Sequence, residues 1–164
     1  MTLESLLERL GRKVKGDHDV VKIKVDPDDI LGDALAIYKD PEFDPALPIR
    51  VTYRGQPAVD LGVKRQFFTD VLGEMASSTH LAFLEGPDLR RLPAYNSGVI
   101  SSGLMKLFGS AVAHGIVHAK VGIPFLSQAF YWYIATADVN KAIPYASPDD
   151  ICDQDIRHYV DAVS

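Results

Sequence analysis

The sequence predicts an α+β fold that is mainly helical, with two or three small antiparallel β pieces. Three observations support this fold class. The chain has 164 residues, 47% hydrophobic and 24% charged, which suits one domain with a substantial core. Most of it carries apolar residues at helical spacing. Only short stretches, such as residues 21–25 and 49–53, alternate between apolar and polar residues as half-buried strands do.

The chain is predicted to contain two regions, residues 1–19 and residues 20–164. The first region is a short helix that Gly11 can end, followed by a polar connector. Its apolar stripe consists of Leu3, Leu6, Leu7 and Leu10. The second region begins with the strand over 21–25, whose Lys22 and Lys24 point away from the core.

Helices account for most of the second region. Asp26 is expected to cap the first of them, with Pro27 at the first helical position. After the strand over 49–53, residues 63–78 form a clear helix, and residues 80–95 resemble two short strands around Gly86. The chain continues with a long helical pattern over 99–120. It ends with a helix opened by Pro124 and a last helix capped by Ser147.

Charge and cysteine content limit the function classes. The formal net charge of -5 and a pI of about 5.4 argue against a general nucleic-acid binder. Cys152 is the single cysteine, so no disulfide can form within the chain. The N-terminus lacks the apolar region of a signal peptide, and no run approaches the ~18 apolar residues of a membrane helix. We expect no membrane association and a cytoplasmic or nuclear location.

Two features invite a catalytic interpretation. His114 and His118 lie four apart and could share a metal, but Gly115 stands where a metalloprotease helix has glutamate, and no third ligand is marked. A packing or capping role is the preferred interpretation. Cys152 is surrounded by acidic residues, which raise a thiol pKa and disfavour the reactive thiolate. The residues alone therefore predict no catalytic residue, no metal and no cofactor.

The order of the segments is more informative than any single residue. Five segments follow one another in this order: ILGDAL, DLGVKRQFF, LAFLEG, GSAVAHG and IPFLSQAFYWYI. Over roughly residues 20–162 this order resembles the first part of a HECT domain, the catalytic domain of one class of ubiquitin ligases. Within that family the chain is most similar to divergent vertebrate HECT-like ligases of the G2/M-phase-specific type. The resemblance implies the fold of the large subdomain of a HECT N-lobe.

Structural roles follow from this resemblance. It rests most strongly on Asp60, Gly62, Arg65, Phe67, Phe68, His114 and Gly115. Gly62 would lie where the family turns from strand into helix, and Arg65 would be a structural basic residue. His114 and Gly115 would end a core helix, with the aromatic helix packed beneath it. The chain departs from the family pattern at Leu61, where the family has a second glycine, and at Lys106, where it has arginine.

The resemblance also implies partners. Some HECT N-lobes bind ubiquitin on a strand pair that corresponds here to Phe83, Leu84, Glu85 and Leu92. The family's aromatic anchor after the glutamate is Gly86 in this chain, and simple sheet packing is the alternative for these residues. Ubiquitin is one implied partner. A ubiquitin-conjugating enzyme is the other, bound through a subdomain that, like the C-lobe with its thioester-forming cysteine, has no counterpart in residues 20–164.

Three functional hypotheses remain at this point. The first is the scaffold portion of a HECT-type ubiquitin-protein ligase, not catalytic by itself. The second is a catalytically dead module that binds ubiquitin or another protein. The third, a metal-dependent enzyme using His114 and His118, is the least supported. If a further subdomain normally covers part of the chain, an apolar patch is expected around residues 130–133.

Overall fold

The computed structural model describes residues 2–12, 20–56 and 61–163. Asp60 and the predicted connector at 13–19 lie outside the described residues. The elements are α1 (Leu3–Gly11), β1 (Val21–Val25), α2 (Ile30–Lys39), β2 (Ile49–Tyr53), α3 (Leu61–Ser77), β3 (Leu84–Glu85), β4 (Leu92–Pro93), α4 (Ser97–Ser101), α5 (Leu104–Ala119), α6 (Gln128–Thr136), α7 (Val139–Ala142) and α8 (Gln154–Val163). Short 3-10 turns occupy Ile143–Tyr145 and Pro148–Asp150. The predicted mainly helical α+β class is confirmed.

The sheet formed by β1 and β2 corrects one part of the prediction. These strands are parallel, with Val21 opposite Ile49 and Val25 opposite Tyr53, whereas antiparallel β pieces were expected. The reason is the helix between them. A strand, a helix and a second strand form a crossover unit that returns the chain in the same direction. The smaller β3–β4 pair is antiparallel, as predicted.

The beginning of α2 also differs from the prediction. The N-cap is Asp29, whose carboxylate accepts a hydrogen bond from Gly32 N–H at 3.1 Å. Asp26 instead accepts from Asp28 N–H at 3.0 Å and closes a turn before the helix. Starting the helix at Ile30 places that side chain, which is buried, on the inner face.

The core lies between the β1–β2 sheet and the helices α2, α3 and α5. Helix α3 is central to it, because it packs against α2, α5 and β2. Its inner face carries five of the large side chains that are almost completely buried. These are Phe67, Phe68, Val71, Leu72 and Met75. Burying aromatic and aliphatic side chains of this size contributes about 1.5–3 kcal/mol each, so this face is the main source of stability.

The second half of the chain contains more breaks than its apolar pattern suggested. The predicted long helix over 99–120 is interrupted at Gly103, which adopts a left-handed conformation with φ of 75° between α4 and α5. Helix α6 starts after Ser127 and not at Pro124, because residues 125–127 are extended against Arg91. Arg91 N–H donates to Phe125 O at 2.8 Å, and Ser127 N–H donates to Arg91 O at 2.9 Å.

An ion pair joins the C-terminal part of the chain to the loop between β3 and β4. The capping box at Ser147 and Asp150 begins only a 3-10 turn, and the predicted last helix starts later, as α8. The Asp150 carboxylate also accepts a hydrogen bond from the Arg90 guanidinium at 3.0 Å. Within the described residues, none of the helices has both the length and the apolar character needed to cross a membrane.

Candidate functional site

Of the seven residues on which the resemblance rests most strongly, the six that the structure describes lie on two helices that touch. Phe67 and Phe68 lie on the inner face of α3 and are fully buried, while Arg65 is on its exposed side. His114 and Gly115 lie near the end of α5 and face α3. Gly62 is exposed in the first turn of α3. The sequence segments, although far apart along the chain, therefore contribute to one contact.

Gly115 allows α3 and α5 to approach closely. A Cβ atom at this position would lie 3.1 Å from Cδ1 of Phe68 and 3.2 Å from the carbonyl oxygen of Val121. Both distances are tighter than ordinary packing, and the second neighbour is main chain. The ring of Phe68 lies edge-on to that of His114, with 5.1 Å between centroids. The helices can keep this spacing only if residue 115 has no side chain.

His114 connects this helix pair to α2. Its Nδ1 atom is 2.9 Å from the hydroxyl oxygen of Tyr38, and both side chains are buried. The ring also contacts Phe43, in the loop after α2, at a centroid distance of 5.8 Å. A single side chain thus contacts α2, the loop that follows it and α3. We call His114, Tyr38, Phe68 and Gly115 the histidine junction.

Electrostatics keep the histidine junction neutral. Burial is the main reason that the pKa of His114 falls to about 4, and the nearby His118 and Lys64 lower it further. Burial also lowers the pKa of His118, again with help from Lys64. Burial raises the pKa of Tyr38. At neutral pH, the bond between Tyr38 and His114 therefore joins two uncharged groups, which avoids the cost of a buried charge.

The histidine pair faces a cavity of about 270 Å³ lined by Pro45, Ala46, Ser110 and Ala113. The Nε2 atoms of His114 and His118 are buried, and the main chain of Leu47 and of Pro45 acts on the two rings to favour their protonated forms slightly. No group of three or more His, Cys, Asp or Glu side chains in the described ranges could hold a metal ion. The positive charge of Lys64, which lowers both pKa values, also opposes cation binding.

The strand pair that the resemblance implies as a ubiquitin-binding surface is largely buried in the core. Phe83 and Leu84 are buried, and Phe83 stacks on Phe108 with 5.6 Å between ring centroids. Glu85 is exposed and Leu92 is half-buried, and these two residues are register partners. The burial of the first two residues favours the sheet-packing alternative. A partner at this strand pair could contact Glu85, the outer part of Leu92 and the edge of Leu84 that lines a neighbouring groove.

Gly86, the position where the resemblance would place an aromatic anchor, has a conformation and surroundings that exclude one. This residue has φ of 105°, a conformation that side chains rarely adopt. A Cβ atom would lie 3.1 Å from Sγ of Cys152 and 3.2 Å from the carbonyl oxygen of Arg90. An aromatic side chain cannot occupy this position without moving the main chain. The sequence showed the glycine but not the neighbours that require it.

Cys152 is exposed but poorly suited to nucleophilic chemistry. Partial burial raises its thiol pKa, and the charges of Glu85 and Asp150 raise it further. The Sγ atom lies 3.7 Å from the carbonyl oxygen of Asp150. Since the thiolate is the reactive form, an acidic environment keeps this cysteine in its unreactive thiol form at neutral pH.

An apolar surface occupies the side of the molecule where α5 and α6 meet. Tyr131, Tyr133 and Ile134 are 58%, 49% and 58% exposed, whereas Phe130 and Trp132 are half-buried, so the apolar patch predicted around residues 130–133 is present in part. Beside them, a groove of about 420 Å³ has almost entirely apolar walls. We call it the α5–α6 groove, and its lining includes Leu84, Met105, Phe108, Val112, Phe130 and Ile134. Sequence periodicity alone could not reveal the groove, because its walls come from separate segments.

Comparisons with known proteins do not place the chain in a family. No family description matches the sequence, and no curated protein is significantly similar to it.

We predict that Gly115→Ala destabilises the protein by about 1–3 kcal/mol, because the added methyl group would collide with Phe68 and with main chain. Gly109→Ala is the matched control in the same helix. A Cβ at Gly109 meets no atom within 4 Å, so the substitution should stabilise by up to about 1 kcal/mol through helix propensity. Urea unfolding of the two variants measures both effects. Equal effects of the two substitutions would contradict the proposed close contact.

We also predict that stability falls with decreasing pH because of His114. Its pKa is about 4 when folded and about 6.5 when unfolded, so the unfolded state binds the proton more tightly. The contribution of His114 to the free energy of unfolding is complete above pH 6.5 and is lost as the pH falls toward 4. The total loss is at most about 3 kcal/mol. Urea unfolding between these pH values should show a shallower dependence for His114→Gln. The exposed His158→Gln should behave like the parent, and an unchanged slope in His114→Gln would refute this assignment.

Proposed function

We propose that this chain is the scaffold portion of a HECT-type ubiquitin-protein ligase. The observation that carries the proposal is the histidine junction. Phe68 and the His114–Gly115 pair belong to different sequence segments of the resemblance, yet they pack directly against each other. Chance matches to separate motifs need not meet in space. A resemblance whose residues form one packing unit is a stronger basis for a proposal than the sequence pattern alone.

The proposed role is to position partners, while the chemistry takes place elsewhere in the ligase. In such enzymes the ubiquitin carboxyl group passes from the thiol of a conjugating enzyme to a ligase cysteine. It then passes to the amine of a substrate lysine, which is covalent catalysis by a thiolate. Cys152 is unsuited to that step, because burial and nearby carboxylates raise its pKa. Ubiquitin and a conjugating enzyme would be partners of the whole ligase in the cytoplasm or nucleus.

The apolar surface near α6 agrees with a scaffold role. Ile134, Val139 and Ile143 are 58%, 58% and 60% exposed and lie on consecutive C-terminal elements. Several large apolar side chains grouped in this way are typical of a surface that another protein part covers. Within the proposal, the covering part would be a further subdomain of the ligase.

The same surface supports one alternative function, a catalytically inactive module that binds ubiquitin or another protein. The α5–α6 groove provides the apolar site that such a module needs. An NMR titration of isotope-labelled ubiquitin with this chain distinguishes the ligase scaffold from the binding module. Shifts confined to one face of ubiquitin, saturating with added protein, would favour the binding module. Absence of shifts at high concentration would leave a scaffold role.

Ligase membership predicts a thiol-sensitive ubiquitin adduct on the whole protein. The protein would be immunoprecipitated from its source cells with an antibody against this chain. It would then be incubated with activating enzyme, a panel of conjugating enzymes and ubiquitin. We expect an adduct that a reducing agent removes. The isolated 164-residue chain should form none, whether or not it carries Cys152→Ser.

Two results would contradict the proposal. The first is the absence of a reducible adduct on the immunoprecipitated protein with every conjugating enzyme of the panel. The second is a reducible adduct on the isolated chain that disappears in Cys152→Ser. That result would place the catalytic thiol within this chain and exclude a purely scaffolding role.

A further inference from the structure

One edge of the β1–β2 sheet has unused main-chain hydrogen-bonding groups. Val21 N–H donates to Pro48 O at 3.0 Å, and Val25 O accepts from Arg54 N–H at 2.8 Å. In a parallel ladder the residues that bond to the neighbour alternate along the strand. The main-chain groups of Lys22 and Lys24 therefore point away from β2. No hydrogen bond within the described residues uses them.

A groove lies along this free edge. It measures about 390 Å³ and is lined by four consecutive residues of β1, from Val21 to Lys24. Its other wall consists of Ala36, Ile37 and Phe43 together with three acidic residues, Asp33, Asp40 and Glu42. An added strand lies about 4.8 Å from its neighbour, so it would occupy the space beside β1 where the groove runs. Among residues 2–12, 20–56 and 61–163, none pairs with this edge, and a groove lies beside it.

The two faces of β1 determine which side chains an added strand would carry. Ile23 and Val25 are buried on the side of α2, and Lys22 and Lys24 are exposed on the opposite side. Because side chains alternate along a strand, one row of the incoming segment would face α2 and the groove floor. The other row would lie beside the two lysines. Apolar residues suit the first row and acidic residues suit the second.

The acidic residues Asp33, Asp40 and Glu42 of the groove wall restrict which row of the segment can be acidic. Asp33 accepts the Asp26 N–H at 2.6 Å, and Asp40 accepts the Glu42 N–H at 2.9 Å. Both carboxylates are therefore already engaged with the chain's own main chain. Asp33, Asp40 and Glu42 belong to α2 and the loop that follows it, the wall opposite β1, so their charges act mainly on the row that faces α2. The negative charges of the wall would repel an acidic side chain in the inner row and so weaken binding of the segment. The inner row should therefore be apolar.

A second copy of this chain is a poor occupant. Two β1 strands paired antiparallel about Ile23 would place Lys22 of one copy opposite Lys24 of the other. Directly opposed like charges destabilise a strand pair, and edge lysines are a common protection against self-association. We propose instead that the β1 edge binds an extended segment of another protein, in which acidic and apolar residues alternate. The segment would add a strand to the sheet, as in other cases of β-strand addition.

The test uses the 164-residue chain and a fluorescein-labelled, end-capped peptide, Glu-Val-Glu-Ile-Glu-Val-Glu. Fluorescence anisotropy measures its affinity, and hydrogen exchange by NMR measures protection of the Lys22 and Lys24 amides. We expect saturable binding, with both amides protected. The peptide Lys-Val-Lys-Ile-Lys-Val-Lys should bind more weakly, because it would place lysines beside lysines.

Charge-reversal variants separate edge binding from general electrostatic attraction. Lys22→Glu/Lys24→Glu should weaken binding of the acidic peptide by roughly tenfold, since it turns attractive cross-strand pairs into repulsive ones. Lys106→Glu/Lys141→Glu makes the same charge change at exposed lysines elsewhere and should have a much smaller effect. Circular dichroism confirms that both variants fold. No binding at millimolar peptide, equal losses in both variants, or unprotected Lys22 and Lys24 amides would each overturn the proposal.

Discussion

The fold depends above all on the close approach of α5 to α3. Gly115 leaves no room for a side chain between Phe68 and the carbonyl of Val121. At the same point, His114 bonds to Tyr38 and so fixes α2 to the helix pair. A change in the spacing of α3 and α5 would displace the neighbouring elements, because a close-packed interior has few voids to absorb it. The sheet rests on the same α2 and α3, so its position follows from this contact.

The polar part of this contact explains the behaviour of the two histidines. A buried histidine has to remain neutral or acquire a counter-charge. Here burial, and then the neighbouring His118 and the positive charge of Lys64, favour the uncharged form of His114. The pair is thus better described as a fixed internal contact than as a site for chemistry. Two surfaces of the described residues outside this contact could bind a partner, the α5–α6 groove and the free edge of β1, and they lie on separate elements.

Much of the fold was predictable from local patterns. The leucine stripe identified α1, and alternation in VKIKV and IRVTY identified both strands. The antiparallel assignment was wrong, although a strand–helix–strand order already favours a parallel pair. Helix starts were less predictable: Asp26 and Asp29 are equally good caps by type, and only the burial of Ile30 separates them.

The candidate sites were less predictable, because they depend on contacts between distant segments. No periodicity indicates that Tyr38 bonds to His114, or that Gly86 lies against Cys152. The apolar patch near α6 was predictable, since QAFYWYI has more apolar residues than one buried helix face can hold. The free edge of β1 could not be inferred, because sheet order is a property of the assembled fold.

Native-state hydrogen exchange, followed residue by residue, tests most directly whether the α3–α5 contact holds the fold together. The account predicts that amides near Phe68 in α3 and near His114 in α5 exchange only through global unfolding. Their opening free energies should then equal each other and equal the value from urea unfolding. Amides of α6 and α8, which lie outside this contact, should open at lower free energy. If α5 amides near His114 opened far more easily than those near Phe68, the two helices would not form one cooperative unit, and the account would be wrong.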